Sequence, residues 1–437
     1  MPLQLSPRPN PTSKRSSPSP ARTVGSSPGP SSASSPSTPW CALAKGQECD
    51  RVDAAVWQPT RCVRLGLGKL GIMSETEHTT RVFQAGSFAF IVESNQRRLC
   101  ETVERLFADL STGNEPATRL TLTNEPDGTR LAGADLVSFT YRRDTSAVLD
   151  ELVTAVNRLM LNAGSGRLHL HAGAVSRGDR TVLLSAASGT GKTTLVTTLA
   201  RRGWTYLTDE AISLAGADRR VRSFPKPLSI KPGGHNLFPD LVGHRVSLGG
   251  AESGLWQVPV GALGITTAMT ANPTMIVVLS RKHGGEQATW GSISAANAVV
   301  ALVEQSLDFE RYGESALFDI AELCVRCRCV QIDAGTPSDT AELVEDLACS
   351  DPKAGTTAHV ATMPVQDRTS RVAPEVTAVA IGEDAVLRHA TTGRVLSLNA
   401  AGTELWAGLS NGAMPEKFRG IEVEAFISQL VDNGFIR

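Results

Sequence analysis

The sequence predicts an α/β fold in several parts: an accessory α+β region, a central body built on a phosphate-binding turn, and a small C-terminal unit of three strands and helices. Three observations carry that expectation. The run Thr181-Val-Leu-Leu-Ser-Ala-Ala-Ser-Gly-Thr-Gly-Lys-Thr-Thr194 passes from a short apolar stretch through a glycine-rich turn into a helical pattern. Strand-like and helix-like apolar spacings recur from Phe83 onward. Two stretches poor in apolar residues, 1–75 and 350–372, divide the 437 residues into parts.

Residues 1–40 hold 10 of the 24 prolines and 12 serines, and no acid stands before Glu48. Such a composition buries too little apolar surface to offset chain entropy, so residues 1–75 are expected to form a disordered tail. Met73, opening Ser-Glu-Thr-Glu ahead of the first strand-like run, is the expected start of translation. Residues 1–72 carry a charge of +6 and residues 73–437 a charge of −7. That acidic body lacks the basic footprint of a protein that follows a phosphate backbone, and nucleic acid is not an expected partner. No apolar run approaches the roughly 20 residues that span a bilayer, and the N-terminus has no signal-peptide core. A cytoplasmic protein without a membrane partner is the expectation. Eight cysteines are too sparse for a disulfide framework, which leaves reduced thiols.

The accessory region, 76–165, opens with a strand at Phe88–Val92 and a helix whose apolar face is Leu99, Val103, Leu106, Phe107 and Leu110. Strand signals at Leu120–Leu122 and Leu136–Tyr141 precede a second helix with the stripe Leu149, Leu152, Val153, Val156, Leu159 and Met160. Nothing in this region announces chemistry.

The central body, 166–349, holds the motif. Main-chain N–H groups of Ser188, Gly189, Thr190 and Gly191, with the helix N-terminus at Lys192, Thr193 and Thr194, suit phosphate oxygens; Lys192 suits the β- and γ-phosphates and Thr193 a magnesium ion. Ala186 stands where the pattern has its first glycine. Leu195, Val196 and Leu199 give the helix its buried face, and Gly203 is placed to end it. Trp204–Thr208 then reads as a strand ending in Asp209-Glu210, 17 residues beyond Lys192. If it runs parallel to the first strand, both acids sit at the edge where ligands bind in open α/β sheets. One can accept an alcohol proton and the other can hold metal. Before the turn, Leu168–Val175 alternates like one strand and pairs through Arg177-Gly-Asp-Arg180 as a hairpin, which brings His171 toward the phosphates. Ser223-Phe-Pro-Lys-Pro-Leu-Ser-Ile-Lys231 offers two cations near that edge, either as solvated lysines on a stiff loop or as phosphate contacts.

In this order and spacing, His171, the phosphate loop, the Asp-Glu strand end and the Pro-Lys-Pro segment resemble the catalytic domain of bacterial HPr serine kinases and their relatives in peptide-modification gene clusters, over about residues 166–350. The resemblance implies ATP and Mg²⁺ on the loop, Asp209 as base toward a Ser hydroxyl, and His171 in the site. Bifunctional members carry a Glu-x-Arg-Gly stretch, whereas Gly261–Ile265 here lacks the Arg, so no phosphorylase activity is expected. No Asn-Lys-x-Asp motif favours guanine. Cys324-Val-Arg-Cys-Arg-Cys329 looks like half a zinc site without a second ligand pair, and alternation places Cys327 and Cys329 on one strand face as buried thiols.

Residues 350–372 read as a flexible linker and 373–437 as a separate unit. Strands at Val376–Ala380, Ala385–His389 and Arg394–Leu398 form a meander with an exposed edge. Asn399 is placed to cap a helix with Leu405, Trp406 and Leu409, and Val423, Phe426, Ile427, Leu430 and Val431 stripe the last helix. With Leu396-Ser-Leu-Asn-Ala-Ala-Gly-Thr-Glu-Leu-Trp406, this unit resembles the PqqD-like peptide-recognition module, a winged-helix-like fold; Asn411–Gly420 is short for its middle helix. That resemblance implies a leader peptide bound as an added strand.

Together the parts imply a kinase of a ribosomally synthesised precursor peptide, whose leader the C-terminal unit captures while the linker raises the local concentration of its core. Asp209 serves as base, and Glu210 helps with metal or charge. Expected partners are that peptide, other enzymes of its maturation and a second copy of the chain. The alternatives are a kinase of a folded carrier protein and a scaffold that binds nucleotide and peptide without transfer.

Overall fold

The computed structural model describes residues 78–437 except 87, 115–116, 134–138, 142–145, 164–166, 216–217, 250–253, 282–284, 351–357, 364–370 and 413–420. The expected tail and the start at Met73 lie outside the described residues, as do most of Asn411–Gly420 and residues 351–357 and 364–370 of the expected linker. Among the described residues the fold is mixed α/β with five sheets.

The accessory region builds a seven-stranded sheet from β1 (His78–Thr79), β2 (Phe83–Ala85), β3 (Phe88–Ser94), β4 (Ser111–Thr112), β5 (Thr118–Glu125), β6 (Gly128–Gly133) and β7 (Phe139–Tyr141). Helices α1 (Arg97–Leu106) and α2 (Ala147–Asn162) share its core. The helical stripes explain why: Leu99, Val103 and Leu106 of α1 and Leu149, Leu152, Val153 and Val156 of α2 are all buried. Phe90 stacks on Phe83 at 5.1 Å and meets Phe107 edge-on at 5.3 Å. This core continues into the central body through Ala211, Phe224, Val246 and Leu248.

The central body begins with β8 (Leu168–Leu170), β9 (Ala172–Arg177), β10 (Arg180–Ser185), α3 (Lys192–Arg201), β11 (Thr205–Thr208), β12 (Ile212–Ala215) and β13 (Asp218–Ser223). It continues with β14 (Leu228–Ile230), α4 (Pro232–His235), β15 (Trp256–Val258), β16 (Thr270–Ala271), β17 (Met275–Ser280) and β18 (Thr289–Ser292). It closes with α5 (Ala295–Val303), α6 (Phe309–Tyr312), α7 (Glu314–Arg326), β19 (Arg328–Asp333) and α8 (Pro337–Cys349). The main sheet runs β11-β9-β10-β17-β19-β18, with β10, β17 and β19 parallel and β9 antiparallel to both β10 and β11. The inner strands β9, β10 and β17 are buried along most of their length, as a sheet covered on both faces requires. Val182, Leu184, Val277 and Val330 face α3 and α8, and Leu183, Ile276 and Cys329 face α5 and α7. Cys324 and Cys327 join that second layer.

The single strand expected over Leu168–Val175 is two strands in two sheets: β8 pairs β12, β9 pairs β10, and the chain changes sheet at His171. The cause lies opposite β8, where the main-chain N–H of His171 donates to Gln305 O at 2.7 Å and a side chain bonds the strand in place of a neighbour. His169 receives both oxygens of Asp308, its N–H on Oδ1 at 2.8 Å and its ring Nδ1 on Oδ2 at 2.7 Å.

In the C-terminal part, β20 (Val360–Thr362), β21 (Val376–Ile381), β22 (Asp384–His389) and β23 (Val395–Leu398) form an antiparallel sheet, followed by α9 (Ala400–Ser410) and α10 (Ile421–Asp432). Two expectations change here. The sheet has four strands, because Val360–Thr362, read as linker, pairs with β21. Nor is the unit held by a tether alone. Val360, Val379, Ile381 and Val386 lie in the same core as α5 and α7, while Ala378, Ala385, Leu387 and Leu398 pack on Trp406, Phe426 and Leu430. The reason is visible in Val376-Thr-Ala-Val-Ala-Ile381, whose lack of polar alternation marks a strand covered on both faces. Polar contacts frame the dock: Ser397 Oγ lies 2.6 Å from Asn297 Oδ1, and the buried Arg388 pairs with Glu310 and sits 4.3 Å over the Phe309 ring. Asn399 caps α9 through Gly402 N as expected.

Candidate active site

Three chain segments meet at one sheet edge because of strand direction. The carboxyl ends of β10 and β11 and the amino end of antiparallel β9 lie side by side, with Ser185 opposite Ala172 and Thr208 opposite Ala174. The turn after β10, the residue before β9 and the acids after β11 therefore converge, although β11 is not a direct neighbour of β10. The expectation for Asp209 and Glu210 required β11 to run parallel to β10, and the strand between them, β9, antiparallel to both, gives them that common direction.

The turn opens at Ala186, whose methyl group is buried in the core between sheet and α3. Ala187, Ser188 and Gly189 are exposed, and Thr190 and Gly191 half-buried. Gly191 caps α3 at φ 115°, a conformation closed to most side chains, and as a glycine it brings no side-chain cap to the first N–H groups of the helix. Those groups and the positive end of the helix dipole make a ready site for an anion. Lys192 is buried, and its Nζ donates to Ala186 O at 2.9 Å, folding the side chain back along the turn. Arg202 and Gly203 end α3 as a Schellman turn, with Gly203 N on Ala200 O at 3.0 Å and Trp204 N on Leu199 O at 3.2 Å.

Asp209 lies in an enclosed pair. Its Oδ1 is 2.9 Å from Lys226 Nζ and accepts the Tyr206 hydroxyl at 2.9 Å, with the Asp209 and Lys226 side chains each 1% exposed. Burial pushes the Asp209 carboxyl up, but the Lys226 ammonium and hydrogen bonds from Lys226, Tyr206 and Thr193 outweigh it and hold the carboxyl below its ordinary range. Thr193, on the first turn of α3, thus lies on the side of the loop that faces the acid. Burial, with Asp209 beside it, keeps the Tyr206 phenol protonated, so it acts as donor.

Glu210 is more open, its side chain 29% exposed and 3.6 Å from His171 Nδ1, with Lys226 Nζ at 4.0 Å. His171 Nδ1 also lies 2.9 Å from the Glu210 carbonyl oxygen, which can only accept, so Nδ1 carries the proton and Nε2 is the acceptor in the neutral ring. Burial and then the Lys192 charge lower the His171 pKa, against a smaller upward pull from Glu210 and Asp209, and the ring is neutral near pH 7. The structure therefore brings Lys192, Thr193, Asp209, Glu210 and His171 together, with Ser188, Gly189, Thr190, Gly191 and Thr194 on the loop and helix start.

Of the two cations left open, Lys226 enters the site and Lys231 is exposed. Tyr206 and Gly173 were not singled out from sequence. A Cβ on Gly173 would stand 2.7 Å from Val196 Cγ2 and 3.2 Å from Lys192 Cγ, so this glycine lets α3 lie against β9. A small residue between two apolar strand positions was its only signal.

No family model and no curated protein matches the chain. A solved structure to which it is similar is the HPr(Ser) kinase/phosphatase from Coxiella burnetii, at 13% sequence identity, covering 41% of this chain and 92% of that chain, with a TM-score of 0.23. No helix among the described residues is long and apolar enough to cross a membrane.

Proposed function

We propose that the chain is an ATP-dependent kinase that phosphorylates a Ser or Thr hydroxyl of a precursor peptide whose leader is held by the C-terminal unit. The observation that carries this reading is the convergence of Lys192, Thr193, Asp209, Glu210 and His171 on one sheet edge, with Asp209 paired to Lys226 and Glu210 beside His171. The donors suit magnesium: a hydroxyl and a carboxylate beside a helix N-terminus are the one or two protein oxygens this ion takes when it arrives with phosphates. Among the described residues no cluster of three or more His, Cys, Asp or Glu side chains offers a separate metal site. Thr193 and the Asp209 oxygen not held by Lys226 and Tyr206 would hold the ion, which supplies neutralisation of phosphate charge.

The remaining residues position and exchange a proton. The loop N–H groups and Lys192 bind the phosphates, and the acceptor hydroxyl lies on the Glu210–His171 side. Its oxygen forms a bond to the γ-phosphorus as the bond to ADP breaks, and its proton passes to the Glu210 carboxylate. Glu210 is the more open of the two acids and the Lys226 ion pair keeps Asp209 anionic, so this reading gives the proton to Glu210 and the metal to Asp209, the reverse of the roles expected from sequence. Transfer then rests on orientation and electrostatics.

The leader reading is supported by β23, an edge strand with no further strand beside it among the described residues. Coexpression with a candidate precursor peptide should add a phosphoryl mass to that peptide, and Lys192→Ala should abolish the addition. Purified chain that takes up no magnesium ATP in titration calorimetry overturns the reading.

A further inference from the structure

Lys226 ends a hydrogen-bonded chain that begins outside the central body. Its Nζ donates to Ser229 Oγ at 3.2 Å, Ser229 Oγ donates to Gln257 Oε1 at 3.0 Å, and Gln257 Nε2 donates to Asp150 Oδ1 at 2.8 Å. Asp150 lies at the start of α2, in the accessory region. Every link donates in the same direction, so the amide of Gln257 has one orientation and each bond polarises the next. Lys226 and Gln257 are both buried, where a donor left without a partner is costly. The ammonium is thus held between two carboxylates, Asp209 in direct contact and Asp150 through two intermediaries.

We infer that Asp150 is a positioning residue of the phosphoryl-transfer site, through which the accessory region fixes the Lys226 ammonium against Asp209. The inference rests on the kinase reading above and gives residues 78–162 a task within it. Lysine has four rotatable side-chain bonds, and besides Asp209 and Ser229 its closest anchor is the Pro227 carbonyl at 3.1 Å. Loss of the Ser229 side of this cradle lets the ammonium, and with it the Asp209 carboxylate, leave the position that Thr193 shares.

The test uses the full chain and magnesium ATP, with release of ADP, the product shared by transfer to a hydroxyl and to water, as the readout. Asp150→Leu should lower kcat about tenfold with little change in KM for ATP, and Asp150→Asn, which keeps an acceptor for Gln257, should restore most of it. In a Lys226→Met background, Asp150→Leu should cost nothing more, whereas a general loosening of the fold would cost the same in both backgrounds. The same four chains (wild type, each single variant and the double) unfolded in urea without nucleotide should show non-additive midpoints. Additive effects in urea overturn the relay whatever the chain catalyses. Non-additive midpoints in a chain that binds no magnesium ATP overturn the kinase reading, and the role in transfer with it, while the hydrogen-bonded chain stands.

Discussion

Lys226 Nζ lies 2.9 Å from Asp209 Oδ1 with both side chains closed to solvent. A pair so enclosed is a poor source of net stability when whole and a strong liability when halved, because the surviving charge keeps its desolvation cost. Lys226→Met should destabilise the chain by about 3–5 kcal/mol in urea unfolding, and adding Asp209→Asn should recover part of that loss. A double variant that loses the sum of the two single losses would show that the two charges do not depend on each other.

Acid should act on the site through two groups of the same sign. The Asp209 carboxyl titrates below its ordinary value of 3.8, so the stability it contributes is complete above that pH and is lost as pH falls through the lower folded value. His171 titrates below 6.5, so the unfolded chain takes up its proton first and stability falls as pH drops from 6.5 toward the folded value. Urea unfolding at pH 7 and pH 5 should therefore show a smaller loss on acidification in His171→Gln than in the wild type.

Gly173→Ala should be costly although the change adds one methyl group. The new Cβ would overlap Val196 and crowd the Lys192 stem, and overpacking of this kind costs about 1–3 kcal/mol. Since the displaced helix carries Lys192 and Thr193, magnesium ATP binding measured by calorimetry should weaken along with thermal stability.

The local parts of this site were legible in the sequence. A buried strand, two glycines, Lys192 and a helical stripe occupy one short segment, and the acids follow one helix later. What escaped was set by contacts distant in sequence. His171 breaks the strand because Gln305 takes its N–H, and Lys226 turns inward because Asp209, Ser229 and Gln257 wait for it. The Pro-Lys-Pro run gave equal warrant for a solvated and a buried lysine, since burial of a charge depends on a partner that no local pattern names. Val360–Thr362 was hidden by its polar neighbours, yet three residues suffice to pair with β21.

Removing residues 358–437 should harm the rest of the chain. The cut uncovers apolar faces of α5 and α7 now covered by Val360, Val379, Ile381 and Val386. A lower melting temperature and concentration-dependent association in light scattering are expected; a truncated chain as stable and monodisperse as the whole would contradict the shared core.

On the proposed reading, that shared core changes what would set the reach of a captured peptide. With the C-terminal sheet seated on α5 and α7, the span from β23 to Glu210 is a fixed ruler and not the swing of a leash. Spacer residues inserted within 351–357 should leave the modified position of the peptide unchanged, whereas residues inserted between leader and acceptor in the peptide itself should shift it.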